Sequence, residues 1–247
     1  LPHLILGRYL NSPKSILGAC LDLLFPPRCV GCNRPGTFLC QNCIKNIANI
    51  SGRLCISCGL PLKEGNVCLS CQSETYPFQI RSYAWYREPL RRALLHLKYR
   101  PNKRLSDWFA DRLAEIVERE SWPRMTVLSV PLSKNKYHRR GYNQVDLVAS
   151  SLARKLGLPF QPNILRRIKD TQSQVGLSPE ARKHNVQGAF VAEYRKLQGA
   201  CILLVDDLFT TGATLSACTQ ALMLADVGEI FAVTIARADH SDFVFST

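Results

Sequence analysis

No stretch of this sequence is both long enough and apolar enough to cross a membrane. The first 28 residues also lack the unbroken apolar core of an export signal, because Arg8, Asn11, Pro13 and Lys14 interrupt it. Leu17-Gly18-Ala19-Cys20 therefore only imitates a lipoprotein cleavage site. Ser15 to Phe25 reads instead as a short amphipathic helix, with Ile16, Leu17, Cys20, Leu23 and Leu24 as its packing side. A soluble, cytoplasmic protein is expected, and thiols stay reduced there, which argues against disulfides for the 11 cysteines. Carboxylates are scarce as well: 19 Asp and Glu face 32 Lys and Arg, a net charge of +13. Such an excess fits a polyanionic partner or a phosphate pocket, and equally a plain basic surface.

What the chain has in abundance is paired cysteine. Eight of the 11 fall into four C-x-x-C pairs, Cys29/Cys32, Cys40/Cys43, Cys55/Cys58 and Cys68/Cys71. Cys-Val-Gly-Cys-Asn-Arg-Pro-Gly and Cys-Ile-Ser-Cys-Gly-Leu-Pro-Leu form an internal repeat, each followed by a second pair. A two-residue spacer lets both thiolates reach one ion, and two pairs complete an all-thiolate tetrahedral zinc site. Sequential pairing is the simplest and gives two Zn2+ ions, one on Cys29, Cys32, Cys40 and Cys43 and one on Cys55, Cys58, Cys68 and Cys71; crossed pairing or a single occupied site is also compatible with the spacing. So small a segment buries little core, so metal binding must supply much of its folding free energy.

The stretch that organises the rest is Cys201-Ile-Leu-Leu-Val-Asp-Asp-Leu-Phe-Thr-Thr-Gly-Ala-Thr214. The apolar run Cys201 to Val205 reads as a strand buried on both faces of a parallel sheet. Asp206 and Asp207 follow at its carboxyl end, then a loop of Thr210, Thr211, Gly212, Ala213 and Thr214, then a helix. Backbone N–H groups at a helix start, with Thr hydroxyls beside them, suit a phosphate monoester. A carboxylate pair repels phosphate, so its partners are neutral hydroxyls or a divalent cation. A phosphorylated sugar satisfies both halves.

Around this motif, Tyr76 to Arg87 reads as a strand, Pro89 to Tyr99 and 106 to 119 as helices, and Thr126 to Val130 as a strand ended by Pro131-Leu-Ser133. A basic loop, Lys134 to Arg140, leads through Arg140-Gly-Tyr-Asn-Gln144 into a helix that Gly157 stops. Such a loop at the carboxyl edge of a parallel strand suits a pyrophosphate. Leu165 to Asn185 is polar and expected to move, and a last strand covers Ile230 to Ile235. Alternating strands and helices imply a parallel sheet. Tyr83, Trp85, Tyr86 and Tyr142 are the aromatic candidates for stacking nucleic-acid bases.

The acidic pair and threonine loop resemble the phosphoribosyl-pyrophosphate (PRPP) motif of type I phosphoribosyltransferases. With the cysteine pairs and Arg140-Gly-Tyr-Asn-Gln144, nearly the whole chain resembles the competence protein F (ComF/GntX) family, where Phe commonly stands at the position of Tyr142. The resemblance implies an α/β fold, a parallel-sheet type I phosphoribosyltransferase-like domain over 76–247, preceded by a double zinc ribbon at 29–75 and an N-terminal helix at 1–28. It also implies PRPP as ligand, with Mg2+. Asp206 and Asp207 would act on the ribose as catalytic residues, and Thr210 to Thr214 would anchor the 5-phosphate. Ser133, Lys134, Arg139 and Arg140 would face the pyrophosphate, and a flexible closing loop would carry Gln172, Gln174, Arg182 and Asn185. The biological role implied is handling of internalised DNA during transformation, with single-stranded DNA and DNA-uptake proteins as partners. An active transferase is the alternative, although no base-recognition hood or glutaminase segment identifies an acceptor.

Overall fold

The computed structural model describes residues 26–73, 76–169, 188–193 and 197–239. The expected helix at Ser15 to Phe25 and the loop residues Gln172, Gln174, Arg182 and Asn185 lie outside the described residues.

Four parallel strands form the central sheet in the order β1 (Gln79–Trp85), β6 (Ile230–Arg237), β5 (Ile202–Phe209), β2 (Thr126–Ser129). Strands buried on both faces need apolar side chains at every position, and β6 (IFAVTIAR) is buried throughout. On one face Val127, Leu203, Val205, Phe231 and Val233 pack beneath α3 (Leu90–Tyr99), α4 (Lys103–Arg119) and α6 (Gln144–Leu156). On the other, Leu128, Ile202, Leu204 and Ala232 pack beneath α7 (Ala213–Met223) and a two-stranded antiparallel hairpin, β3 (Leu165–Arg167) and β4 (Phe190–Ala192). That hairpin, which the polar composition of the region did not announce, brackets residues 170–187.

Asn102 and Asn143 cap α4 and α6 by accepting from the N–H groups of Leu105 and Val145, and Gly157 ends α6 in the left-handed region, as its sequence position predicts. Two elements differ from expectation. Lys134 to Arg140 is a helix, α5, capped by Ser133 and closed by left-handed Gly141, because Ser and Gly stand where a short helix needs its caps. Strand β5 does not stop at Val205; it runs through both aspartates to Phe209, since β6 continues to offer partners at Asp206↔Thr234 and Leu208↔Ala236.

The first pair of each half of the cysteine repeat has the same local backbone, offset by 26 positions (Cys29 to Cys55), while the second pairs are offset by 28 (Cys40 to Cys68). Cys29 and Cys55 donate their N–H groups to the carbonyls of Arg34 and Leu60 at 2.8 Å, and Asn33 and Gly59 both adopt left-handed φ values of 63° and 67°. Short helices α1 (Gln41–Lys45) and α2 (Leu69–Ser73) carry the last cysteine of each set. The two halves straddle the sheet edge at β1: Cys29, Leu39, Cys43 and Ile47 join the core on one face, and Cys55, Cys58, Cys68 and Cys71 join it on the other. The N–H groups of Ile50 and Trp85 donate to Tyr83 and Ala48, so the ribbon also covers an edge that would otherwise be open to pairing.

Candidate metal centres and ligand site

The thiolates of Cys29, Cys32, Cys40 and Cys43 lie within 4.8 Å of one another, and so do those of Cys55, Cys58, Cys68 and Cys71. Sequential pairing is therefore the arrangement adopted. Four sulfurs at the usual Zn–S distance around a tetrahedral ion sit about 3.8 Å apart. Cys29 to Cys43 and Cys32 to Cys40 measure 3.7 Å, and Cys58 to Cys68 measures 3.6 Å. Both quartets thus fit structural zinc. Backbone N–H groups point at the sulfurs, from Cys40 to Cys29 (3.3 Å), from Cys43 to Cys40 (3.4 Å) and from Cys68 to Cys55 (3.4 Å). Burial pushes the Cys29 and Cys55 thiols up, but these donors more than offset it and bring both down to about 6, whereas burial and the neighbouring sulfurs hold Cys43 and Cys71 well above the ordinary thiol value, so each quartet favours one thiolate beside protonated thiols until an ion displaces their protons.

At the carboxyl end of the sheet, β2 leaves β5 after Val205, to which Val130 still donates. The gap is bounded by α3, α5 and the start of α6. Asp207, only 9% exposed, faces it, and its Oδ2 accepts from Lys98 Nζ at 3.1 Å and from Gln144 Nε2 at 2.6 Å. Gln144 is itself held by Arg140, whose guanidinium donates to Oε1 at 2.8 Å. Burial would raise Asp207, but Lys98 first and then the Gln144 hydrogen bond carry it below its ordinary value. Asp206, partly open to solvent, is raised to about 7 by burial and by the charge of Asp207; the N–H of Asp207, 2.8 Å from its Oδ1, offsets only part of this. Thus one carboxylate is neutralised by a fixed ammonium and the other keeps a proton near neutral pH.

Cations crowd the same gap. Lys136 is depressed by burial, then by the charges of Arg167, Arg140 and Lys98. Lys136 and Arg140, four apart on α5, therefore share its inward side, whereas Lys134 and Arg139 are exposed. Ser133 is buried and spends its hydroxyl on the Lys136 N–H, at 3.4 Å. The rest of the Arg140 to Gln144 run fixes geometry. Tyr142 donates its hydroxyl to the Leu97 carbonyl, and Asn143 donates to Val130 O (3.1 Å) and to Asp146 (2.8 Å), which also accepts from Ser129.

Beyond β5, Thr210 to Gly212 turn into α7. Gly212 adopts φ 77° and caps the helix without a side-chain hydrogen bond. A Cβ there would lie 2.8 Å from the Tyr76 ring and 3.0 Å from the Phe209 ring, so glycine is required on conformational and steric grounds. Thr211 accepts from the Ala213 N–H at 3.4 Å, and Tyr76 donates to the Thr211 carbonyl at 3.4 Å. Ala213 is buried, while Thr210, Thr211 and Thr214 are partly exposed.

Lys98, Lys136 and Gln144 were not singled out from sequence as site residues. The signal for Lys98 was its place one residue after Leu97 and four after Leu94, on the border of the buried stripe of α3 rather than on its open side. Of the aromatic residues named for stacking, Tyr83 packs edge-on against Trp108 at 5.9 Å and the Tyr142 hydroxyl is bonded as described, while Trp85 and Tyr86 are half-buried.

A double zinc ribbon domain profile matches residues 20–72. A solved adenine phosphoribosyltransferase from Thermoanaerobacter pseudethanolicus overlaps 61% of this chain and 87% of its own, with 14% identity and a TM-score of 0.38. Among relatives, a DNA utilization protein, YhgH, of Salmonella typhimurium is 30% identical over 81% of this chain and 92% of its own. Competence protein F of Haemophilus influenzae is 31% identical over 225 residues, 81% of this chain and 97% of that protein, and the chain accordingly belongs to the competence protein F family.

Proposed function

We propose that this protein binds PRPP at the carboxyl end of β5 and acts in the handling of DNA taken up by the cell, binding single-stranded DNA through its basic surface. The observation that carries the ligand reading is the meeting of opposite charges at the carboxyl end of β5: Asp207 paired with Lys98 below Lys136 and Arg140, Asp206 on the α7-facing side of the same strand yet still within reach of the charges of Lys98 and Lys136, and then the Gly212 turn and the start of α7. A sugar carrying a monophosphate at one end and a pyrophosphate at the other matches that order. Its 5-phosphate lies at the Thr210 to Thr214 turn, its hydroxyls donate to Asp206, and its pyrophosphate relieves the mutual repulsion of Lys136 and Arg140. Asp207 already accepts two hydrogen bonds, so Mg2+ carried by the pyrophosphate would find its protein oxygen on Asp206. The DNA reading draws on the net charge of +13 and on the relatives named for competence and DNA utilization.

Asp206→Asn/Asp207→Asn tests the ligand site by titration calorimetry with PRPP and Mg2+. Loss of binding is expected, and unchanged affinity rejects the site. For the DNA half, affinity for a single strand should fall steeply with salt, and a flat dependence rejects electrostatic binding.

One observation favours a second reading, phosphoribosyl transfer. Asp206 is the carboxylate left partly open, so a charge can face a ribose ring as positive charge develops on it. A nitrogen acceptor would attack the anomeric carbon, and the carbon–oxygen bond to pyrophosphate would break with its electron pair leaving on pyrophosphate. Pyrophosphate release against a panel of bases, with and without single-stranded DNA, decides between binding and turnover.

A further inference from the structure

Two large aromatic side chains stand open beside the acid-pair site. Tyr99, the last residue of α3, is 70% exposed, and Tyr137, on α5, is 51% exposed. Arg140 lies against the first and shares a helix with the second. Its guanidinium lies 5.5 Å from the centre of the Tyr99 ring, and it sits three positions beyond Tyr137, on the same side of α5. The same guanidinium donates to Gln144, which donates to Asp207, and Lys98, which pairs with Asp207, is the chain neighbour of Tyr99. The tyrosines therefore stand at the mouth of the ligand gap rather than on a remote face.

The two chain segments that carry the tyrosines are basic. Residues 89–106 and 125–145, which contain both tyrosines, hold ten Lys and Arg and no Asp or Glu. Arg100, Lys134 and Arg139 among them are exposed. A ring with an arginine on one face and water on the other is half of a stack, and a planar, electron-rich partner completes it. The flanking cations require that partner to be carried on a polyanion. A duplex hides the faces of its bases, whereas a single strand offers them.

We propose that Tyr99, Tyr137 and Arg140 form a base-stacking platform for single-stranded nucleic acid, with Arg100 and neighbouring cations taking the phosphates. This rests on the single-strand binding assigned under the proposed function and locates it. The test is fluorescence anisotropy of the full chain with a labelled oligothymidylate, comparing wild type, Tyr99→Ala, Tyr137→Ala, and Tyr99→Phe. Each alanine variant should weaken binding roughly tenfold, with the salt slope unchanged because the phosphate contacts remain. Tyr99→Phe keeps the ring and should bind like wild type. PRPP affinity in the absence of DNA should stay within about twofold in every variant, as expected of an exposed substitution. Alanine variants that bind the strand as wild type does would overturn the platform while leaving DNA binding intact. Displacement of the strand by free nucleobase at equal concentration would also overturn it, making the platform a small-molecule subsite. A wild-type chain with no affinity for the strand would instead overturn the reading beneath it.

Discussion

Asp206 should titrate near neutrality, and its proton should be felt in the stability of the whole protein. Its folded value is about 7 against an ordinary 3.8, so the folded state holds the proton more tightly than the unfolded chain. Stability from this group is therefore complete below about pH 4, falls as pH rises through the interval to about 7, and is level beyond it. Integrated between pH 5 and pH 8, the loss has an upper figure of about 2–3 kcal/mol. Asp207, lowered by Lys98, contributes with the opposite sign and only at acid pH, since its share is lost as pH falls through a folded value below 3.8. His96 is depressed by burial and by Arg100, and it titrates alike in wild type and in an Asp206→Asn variant, so the difference between the two proteins isolates Asp206. Urea unfolding of both at pH 5 and pH 8 measures that difference. The variant should gain on wild type as pH rises. In 13C carboxyl spectra the resonance missing from the variant should show a midpoint close to 7. Hydroxyl donors or a divalent cation at Asp206 would favour its charged form, so PRPP binding at pH 7 should release about half a proton from this group. A gap between the proteins constant to within about 0.5 kcal/mol, with a carboxyl midpoint near 4, would refute the reasoning.

Lys98→Met should cost about 3–5 kcal/mol in urea unfolding, because it leaves the Asp207 charge unpaired at a site where both side chains are largely covered; a loss below about 1 kcal/mol would show that water already screens the pair. The same variant should weaken PRPP binding, since an uncompensated Asp207 repels the phosphates. Metal analysis of the purified protein should find about two zinc ions per chain, and chelation should unfold the ribbon; a folded, zinc-free chain would remove both centres.

The parts legible from sequence are those where one physical demand dominates. Ile202 to Val205 must be apolar because both faces of β5 are covered, and each two C-x-x-C pairs supply the four thiolates of one tetrahedral site. The passage of β5 through Asp206 to Phe209 was not legible. Two carboxylates read as a strand end, and the cause of their inclusion, the reach of β6 to Arg237, lies far along the chain. Lys134 to Arg140 reads as a loop from its charge; its helix depends on Ser133 and Gly141 acting as caps. The inward choice of Lys136 over Lys134 and Arg139 follows from helical phase, which appears only once those caps are known. Lys98 was hidden for a similar reason, since a cation at the edge of an apolar stripe looks solvated until its partner is placed.

The zinc ribbon and the Gly212 turn are joined by a short run of contacts. Arg237 at the end of β6 is buried and donates to the Cys58 carbonyl, while its guanidinium lies 4.7 Å from the centre of the Phe209 ring. Phe209 in turn packs at 5.9 Å against Tyr76, and these two rings close around Gly212. From the other side Arg81 donates to the carbonyls of Cys55 and Ile56 and pairs with Glu120 at 2.7 Å. A buried guanidinium needs carbonyl oxygens at fixed positions, and the backbone around Cys55 and Cys58 is fixed only when its thiolates are held. A zinc ion held by Cys55, Cys58, Cys68 and Cys71 would therefore act as a buttress. It would order the carbonyls that seat Arg237, which packs on Phe209 beside the Gly212 turn, and chelation should then loosen that turn as well as the ribbon.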